Sequence, residues 1–362
     1  MDGTLEALVL RALPGVGPKR FRSLVDEFGG ARAALSATDQ DFLAAAGSRA
    51  AAERTRKDVW KSAETLLSKC EGRGIEVWAL GTPAYPDRLL DLTDPPPALF
   101  ALGDTSLLSQ SAVAVVGSRR ASVYGRRVAR QIGEFLVGQG RCVVSGMAMG
   151  IDAEAHLGAL PGPTIAVLGS GVDRPTPHRN RGIYQRILES GLVLSSFDPG
   201  APAEAHNFPA RNRIIAALAE EIIVVEAAAR SGALITAEFG LDLGREIHAV
   251  PGPIDRQTSA GTNRLIADGA SMIVGVDSSA PFSRPLEELH IDPDLRGFLA
   301  HVPEVPESLD VVALTAGVPI SEALVFATRL QLEGLMSTTR DGLVLRTPGG
   351  RTPAGRAKRS RS

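Results

Sequence analysis

Two short loops in this sequence concentrate the residue types that hold phosphate. The first is Gly117-Ser118-Arg119-Arg120-Ala121-Ser122-Val123-Tyr124-Gly125, which follows an apolar run and leads into a helical stretch. Its backbone N–H groups and the start of that helix favour an anion. Arg119, Arg120, Arg126, Arg127 and Arg130 fall within twelve residues with no acid between them. Arginine at 119 departs from the Gly-x-Gly-x-x-Gly fingerprint of dinucleotide sites. A bulky cation there suits an exposed backbone phosphate better than a buried pyrophosphate. The second loop is Phe208-Pro209-Ala210-Arg211-Asn212-Arg213, at the start of another helix. Its guanidinium groups can hold phosphates bidentately, and its aromatic ring can stack on a base. The alternative is that Phe208 belongs to the core and the arginines pair with Glu226 or its neighbours.

Weaker signals lie nearby. Ser145-Gly146-Met147-Ala148-Met149-Gly150-Ile151-Asp152 is a small-residue turn after a strand, followed by His156. Asp152 and His156, four apart, share a helical face. With no third ligand close by, the spacing favours Asp152 in the N-cap region and His156 packed behind it over a metal or acid–base pair. Glu226, Arg230-Ser231-Gly232, Thr236, Pro251-Gly252 and Ser259–Asn263 add polar residues and glycines at strand ends. Near the N-terminus, Leu13-Pro14-Gly15-Val16-Gly17-Pro18-Lys19-Arg20 reads as a tight turn between helices, similar to a helix-hairpin-helix. Such a turn can aim N–H groups at a phosphate, or simply connect two helices.

Several chemistries are excluded. The five lysines are Lys19, Lys57, Lys61, Lys69 and Lys358, so residues 70–357 hold neither a P-loop lysine nor a Schiff-base lysine. No Gly-x-Ser-x-Gly elbow or His-Glu-x-x-His motif is present. Glu226 could act as a base, but no nucleophile is set beside it. Two cysteines, Cys70 and Cys142, are too few for a disulfide framework or a cysteine zinc site. The formal net charge is −2 over 362 residues, which excludes a uniformly basic coat. Any phosphate binding must come from a local patch. Residues 287–346 carry 4 basic and 10 acidic side chains, whereas 347–362 carry 5 basic and no acidic ones. No run of about 18 or more uncharged apolar residues marks a membrane span. The start Met1-Asp2-Gly3-Thr4-Leu5-Glu6 carries no export signal, so a cytoplasmic location is expected.

The elements that must position these loops follow from the apolar pattern. Residues 1–75 are Ala-rich and helical, and 76–110 form a connector that packs on the central domain; its Pro95-Pro96-Pro97 bars a helix. Across 111–280, seven runs are continuous rather than alternating in apolarity, as in strands buried on both faces. They are Ala112–Gly117, Cys142–Gly146, Thr164–Gly169, Gly191–Phe197, Glu221–Ala227, Glu246–Gly252 and Ser271–Gly275. The segments between them are long enough for crossover helices. The fold class is therefore α/β, a Rossmann-like doubly wound parallel sheet whose site lies beyond the carboxyl ends of the strands. After a Pro-rich linker near 281–286, residues 287–346 read helix, turn at Gly317-Val318-Pro319, helix from Ser321, then strands around Met336-Ser337 and Leu343–Leu345. That order suggests a winged helix. The Gly/Pro/Ser/Arg-rich tail 347–362 is expected to be disordered.

Taken together, the motifs resemble the DNA-processing protein A family (DprA, also called Smf). Those that carry the resemblance are Tyr85-Pro86 through Asp94-Pro95-Pro96, Gly117-Ser118-Arg119 with Tyr124-Gly125, and Ser145-Gly146 with Gly150-Ile151-Asp152 and His156. They continue with Phe208–Arg213, Ser231-Gly232-Ala233-Leu234-Ile235-Thr236 and Pro251-Gly252, all between about 81 and 275. The resemblance implies a protein without enzymatic activity, catalytic residues, metal or cofactor. It implies binding and shielding of single-stranded DNA in natural transformation, help in loading a RecA-type recombinase, and homodimers formed through the Rossmann-like domain. It places DNA contacts at Gly117, Ser118, Arg119, Phe208, Arg211 and Arg213, with the turn of Gly146, Met147 and Gly150 beside them; Arg120 and Asn212, in the same two loops, complete the candidate set. Two departures stand out: Met149 where the family commonly has arginine, and Ser195-Ser196 where it commonly has glutamate. The competing reading is a nucleotide-handling enzyme on a related scaffold, using Glu226 or Asp152. The would-be recognition helix, Ser321 to Met336, carries Glu322, Arg329 and Glu333 and is net negative, a poor reader of a major groove. Protein contact, or a weak auxiliary contact with double-stranded DNA, is expected of it. The basic tail either adds nonspecific phosphate affinity or is simply solvated.

Overall fold

The computed structural model describes residues 3–276 and 293–346, apart from 304, 333, 334, 340 and 341. The chain divides into two compact units, Met1–Ala280 and Pro281–Ser362. The expected linker at 281–286 and the expected disordered tail at 347–362 lie outside the described residues.

The first unit opens with six helices: α1 (Thr4–Ala12), α2 (Pro18–Phe28), α3 (Ala31–Ser36), α4 (Asp39–Ala46), α5 (Ser48–Glu53) and α6 (Lys57–Glu71). The turn expected at 13–17 joins α1 to α2, with Leu13 and Val16 buried beneath it. Arg20 folds back on that turn and donates to the Gly15 carbonyl at 3.2 Å. Nine strands follow: β1 (Glu76–Ala79), β2 (Ala98–Gly103), β3 (Ala112–Val116), β4 (Cys142–Ser145), β5 (Thr164–Val167), β6 (Leu192–Ser195), β7 (Glu221–Val224), β8 (Glu246–Ala249) and β9 (Ser271–Met272). They form one sheet in the order β1-β2-β6-β5-β4-β3-β7-β8-β9. All pairings from β6 to β9 are parallel.

The seven apolar runs are thus the seven parallel strands, and each is shorter than its run. The central β3, Ala-Val-Ala-Val-Val, is buried at every position, which is why it shows no alternation. The connector holds more than the sequence suggests, because β1 and β2 extend the sheet beyond β6. Their pairings, β1 with β2 and β2 with β6, are antiparallel. Side chains from α1 and α2 share one buried cluster with those of β3–β8, including Leu10, Phe21, Leu24, Val116 and Ile247. Arg73 adds an ion pair to Asp173 at 2.5 Å, and Arg11 pairs with Asp198.

Six further helices flank the strands: α7 (Val123–Gly138), α8 (Ile151–Ala159), α9 (Arg181–Ser190), α10 (Asn207–Leu218), α11 (Gly232–Asp242) and α12 (Ala260–Ala267). The winding direction reverses between the neighbours β3 and β7. In a doubly wound sheet that reversal opens a crevice at the carboxyl ends of the strands.

In the second unit the described residues form α13 (Pro293–Leu299), α14 (Leu309–Ala316), α15 (Ile320–Leu332) and an antiparallel pair, β10 (Met336–Thr338) and β11 (Val344–Arg346). Phe298, Phe326, Leu330 and Met336 belong to its core. No single described helix is long and apolar enough to cross a membrane.

Candidate nucleic-acid interface

The loop after β3 is fixed from both sides. Ser118 donates its N–H to the Glu226 carbonyl at 2.6 Å, and its own carbonyl accepts from the Ile151 N–H at 3.2 Å. Ser118 Oγ accepts from the Arg120 N–H at 3.1 Å. Ser122 caps α7 by accepting from the Gly125 N–H. The Glu226 carboxylate, buried at 5% exposure, takes the Ser122 N–H on Oε2 at 2.8 Å. Glu226 therefore holds the loop through its backbone. It forms no ion pair with an arginine among the described residues, contrary to one of the expected alternatives.

The turn after β4 presses against this loop. Gly150 lies at φ +82°, and a Cβ there would stand 2.2 Å from the Ser118 carbonyl oxygen. Only glycine meets both demands. Met147 takes φ 55° although it is not glycine, a conformation costing about 1–3 kcal/mol. Its fully buried side chain, packed with Phe100, Leu168 and Tyr184, offsets that strain.

Arg211 overturns the expectation of a surface anchor. Its side chain runs inward from α10 and is 3% exposed. Nη1 donates to the Val167 carbonyl at 3.0 Å, and the guanidinium lies flat on Gly146, where a Cβ would sit 1.3 Å from Nη1. Burial pushes the group down to about 10, Asp152 opposes that, and Arg119 adds to it. Asp152 is 5% exposed; burial raises its carboxyl above the ordinary value, with Arg211 working against the rise. Its Oδ2 accepts from the Ala148 N–H at 3.4 Å, just ahead of α8. His156 is fully buried behind it, with Nδ1 2.7 Å from Thr164 Oγ1. No described group of three or more His, Cys, Asp or Glu residues is arranged to hold a metal ion.

Other members of the second loop are also committed to the protein. Arg213 pairs with Asp94, and Asn212 donates to the Gly232 carbonyl at 3.1 Å. Met147 and Gly146 face inward, so neither offers a side chain to a strand. What remains at the surface is compact. The exposed Arg119 guanidinium lies over the half-buried Phe208 ring, 4.4 Å from its centroid. Phe208 in turn rests near Gly169 at the end of β5. Arg120 and Arg127 are exposed and paired with no carboxylate among the described residues, whereas Arg130 is engaged by Glu154 at 2.6 Å. Met149, 41% exposed, stands on the turn pressed against Arg119. Sequence reasoning missed Asp94 as the partner of Arg213, and Glu226 as the clamp on the first loop. The Asp94-Pro95 and Glu226 motifs were visible, but which partners they faced depended on the topology.

The family model of DNA recombination-mediator protein A matches residues 76–282. The chain belongs to that family. Among similar members, Protein Smf of Escherichia coli is 37% identical over 305 residues, covering 78% of this chain and 81% of its own. DNA processing protein DprA of Streptococcus pneumoniae is 42% identical over 201 residues, 55% of this chain and 71% of its own. The X-ray structure of the Streptococcus pneumoniae protein superposes with a TM-score of 0.65 at 33% identity, covering 75% of this chain and 95% of that one. A second family structure, from a study of the single-stranded DNA binding mode of the Helicobacter pylori protein, gives 0.52 at 30% identity and covers 56% and 92%. Family membership makes a recombination-mediator role in DNA processing the setting in which the loops must be read.

Proposed function

We propose that this protein binds single-stranded DNA along the carboxyl ends of β3, β4 and β5, without enzymatic turnover. The observation that carries the reading is Arg119 stacked on Phe208 at the surface, with Arg120 on the same loop and Arg127 on α7 exposed and paired with no carboxylate among the described residues. A cation and an aromatic face on a glycine-shaped backbone suit a strand tracked by its phosphates and stacked through its bases. Arg211, buried beneath, positions the Gly146–Gly150 turn and leaves phosphate binding to Arg119, Arg120 and Arg127. Support comes also from the Helicobacter pylori relative, whose structural study concerns single-stranded DNA. On this reading the protein shields a strand and hands it to a RecA-type recombinase, acting as a homodimer in the cytoplasm. The second unit, a winged helix in our reading, meets protein: Leu314, Leu324 and Val325 are exposed on α14 and α15, and residues 287–346 carry 10 acidic against 4 basic side chains.

The test is fluorescence anisotropy of a labelled oligo-dT across a salt series, for wild type and Arg119→Ala/Arg120→Ala. Each phosphate that is no longer neutralised should lower the slope of log K against log salt by about 0.7. The double variant should bind more weakly, with a slope shallower by about 1.4, twice that single-phosphate value. Unchanged binding and slope would move the site away from these loops.

A further inference from the structure

The carboxyl ends of β7 and β8 frame a cleft separate from the Arg119–Phe208 surface. It measures about 310 Å³, within the range of about 300–1,000 Å³ usual for small-molecule sites. It also sits where β3 and β7 diverge, the place doubly wound sheets reserve for ligands. Its walls are preformed. Asn263 clamps the Gly252 backbone, donating to its carbonyl at 2.9 Å and accepting from its N–H at 3.1 Å. Val225, Val250, Pro251 and Pro253 supply apolar lining.

Two polar side chains on those walls keep an atom uncommitted to any described group. Glu226 lines the cleft at 5% exposure, and only its Oε2 is used, by the Ser122 N–H. No described group donates to Oε1. That oxygen is open to the cleft and free to accept a hydrogen bond from a ligand hydroxyl. Ser259, also 5% exposed, stands at the start of α12, and its hydroxyl makes no cap bond there. At the mouth, Tyr124 presents a ring that is 41% exposed, and Arg256 presents a guanidinium with no carboxylate partner among the described residues.

Each group selects one part of a ligand. A single open carboxylate oxygen accepts from sugar hydroxyls, as acidic residues of doubly wound folds do with ribose. Tyr124 offers a face for a planar ring. Arg256 and the Ser259 hydroxyl suit a phosphate and disfavour a cationic ligand. We propose that this cleft binds a ribonucleoside monophosphate: ribose on Glu226, base on Tyr124, phosphate on Arg256 and Ser259. Arg119, Arg120 and Phe208 do not line this cleft, so the proposal does not rest on the strand-binding reading.

The experiment is calorimetric titration of the full chain with AMP, GMP, CMP and UMP, then with the 2′-deoxy form of the tightest binder. At least one ribonucleotide should bind saturably, with the deoxy form at least tenfold weaker. Arg256→Ala and Tyr124→Ala, both at exposed positions, should each weaken it tenfold or more, and Arg256→Ala should do so without changing oligo-dT binding. Arg119→Ala/Arg120→Ala should leave nucleotide affinity within twofold. Four results would each overturn the proposal: no saturation by any of the four at millimolar concentration, equal affinity for the deoxy form, indifference to the cleft variants, or weakened nucleotide binding in the Arg119/Arg120 variant.

Discussion

His156 gives the sharpest test of the buried layer under the Gly146–Gly150 turn. Thr164 Oγ1 donates its only proton to the Val143 carbonyl at 2.8 Å, so it must accept from His156 Nδ1–H. Nε2 is then an unprotonated nitrogen, buried and without a partner. Protonating it would place a cation in a dry layer that already holds Arg211. Burial first, and the Arg211 charge second, push the imidazole down from 6.5 to about 3. The folded state therefore binds fewer protons than the unfolded state between those values, and stability falls as pH drops below 6.5. At about 1.36 kcal/mol per pKa unit the full effect is about 5 kcal/mol, of which about 2–3 kcal/mol is lost between pH 7 and 4.5. His156→Asn keeps a donor toward Thr164 and cannot titrate. Asp152, with its raised pKa, works in the opposite direction: its burial becomes less costly as pH falls. That contribution is common to both proteins and cancels in their difference. Urea unfolding followed by the fluorescence of Trp60 and Trp78, both in the first unit, should show the variant losing about 2–3 kcal/mol less than wild type over that range. Parallel losses in the two proteins would refute the neutral, desolvated histidine and the layer inferred from it.

Two further outcomes follow from geometry. Gly150→Ala brings a Cβ against the Ser118 carbonyl in a left-handed backbone, and should cost about 1–3 kcal/mol by urea unfolding while weakening oligo-dT binding through the displaced loop. Cys70 and Cys142 are fully buried, and burial raises their thiols to about 11 and about 12. Neither should react with a thiol reagent at pH 8 until denaturant is added, and prompt labelling of the native protein would contradict the packing described.

The parallel strands were legible because burial on both faces writes an unbroken apolar run, as in Ala112–Val116 and Leu192–Ser195. The surface at Arg119 and Phe208 was legible because arginines clustered without acids have few structural uses. Two things were hidden. Strand β2, Ala98–Gly103, follows three prolines, and its pairing with β6 lies far off in sequence, so nothing local marked it as part of the sheet. Arg211 looked like Arg119 because residue type does not show which way a helix faces. The small residue opposite it, Gly146, sits 65 positions earlier, and only the β4–α10 juxtaposition makes it a berth for a guanidinium.

The antiparallel flank has a consequence for synthesis. β1 and β2 leave the ribosome as a hairpin whose partner, β6, is about 90 residues away, or about 5–20 s at a typical elongation rate of roughly 5–20 residues per second. Throughout that interval the open edge of β2, Ala98-Leu99-Phe100-Ala101-Leu102-Gly103, carries no charged side chain to discourage pairing with another chain. The nascent protein then offers an uncharged apolar edge to other chains. Slowing translation between residues 104 and 191 would lengthen that exposure, and chaperone dependence should rise with it.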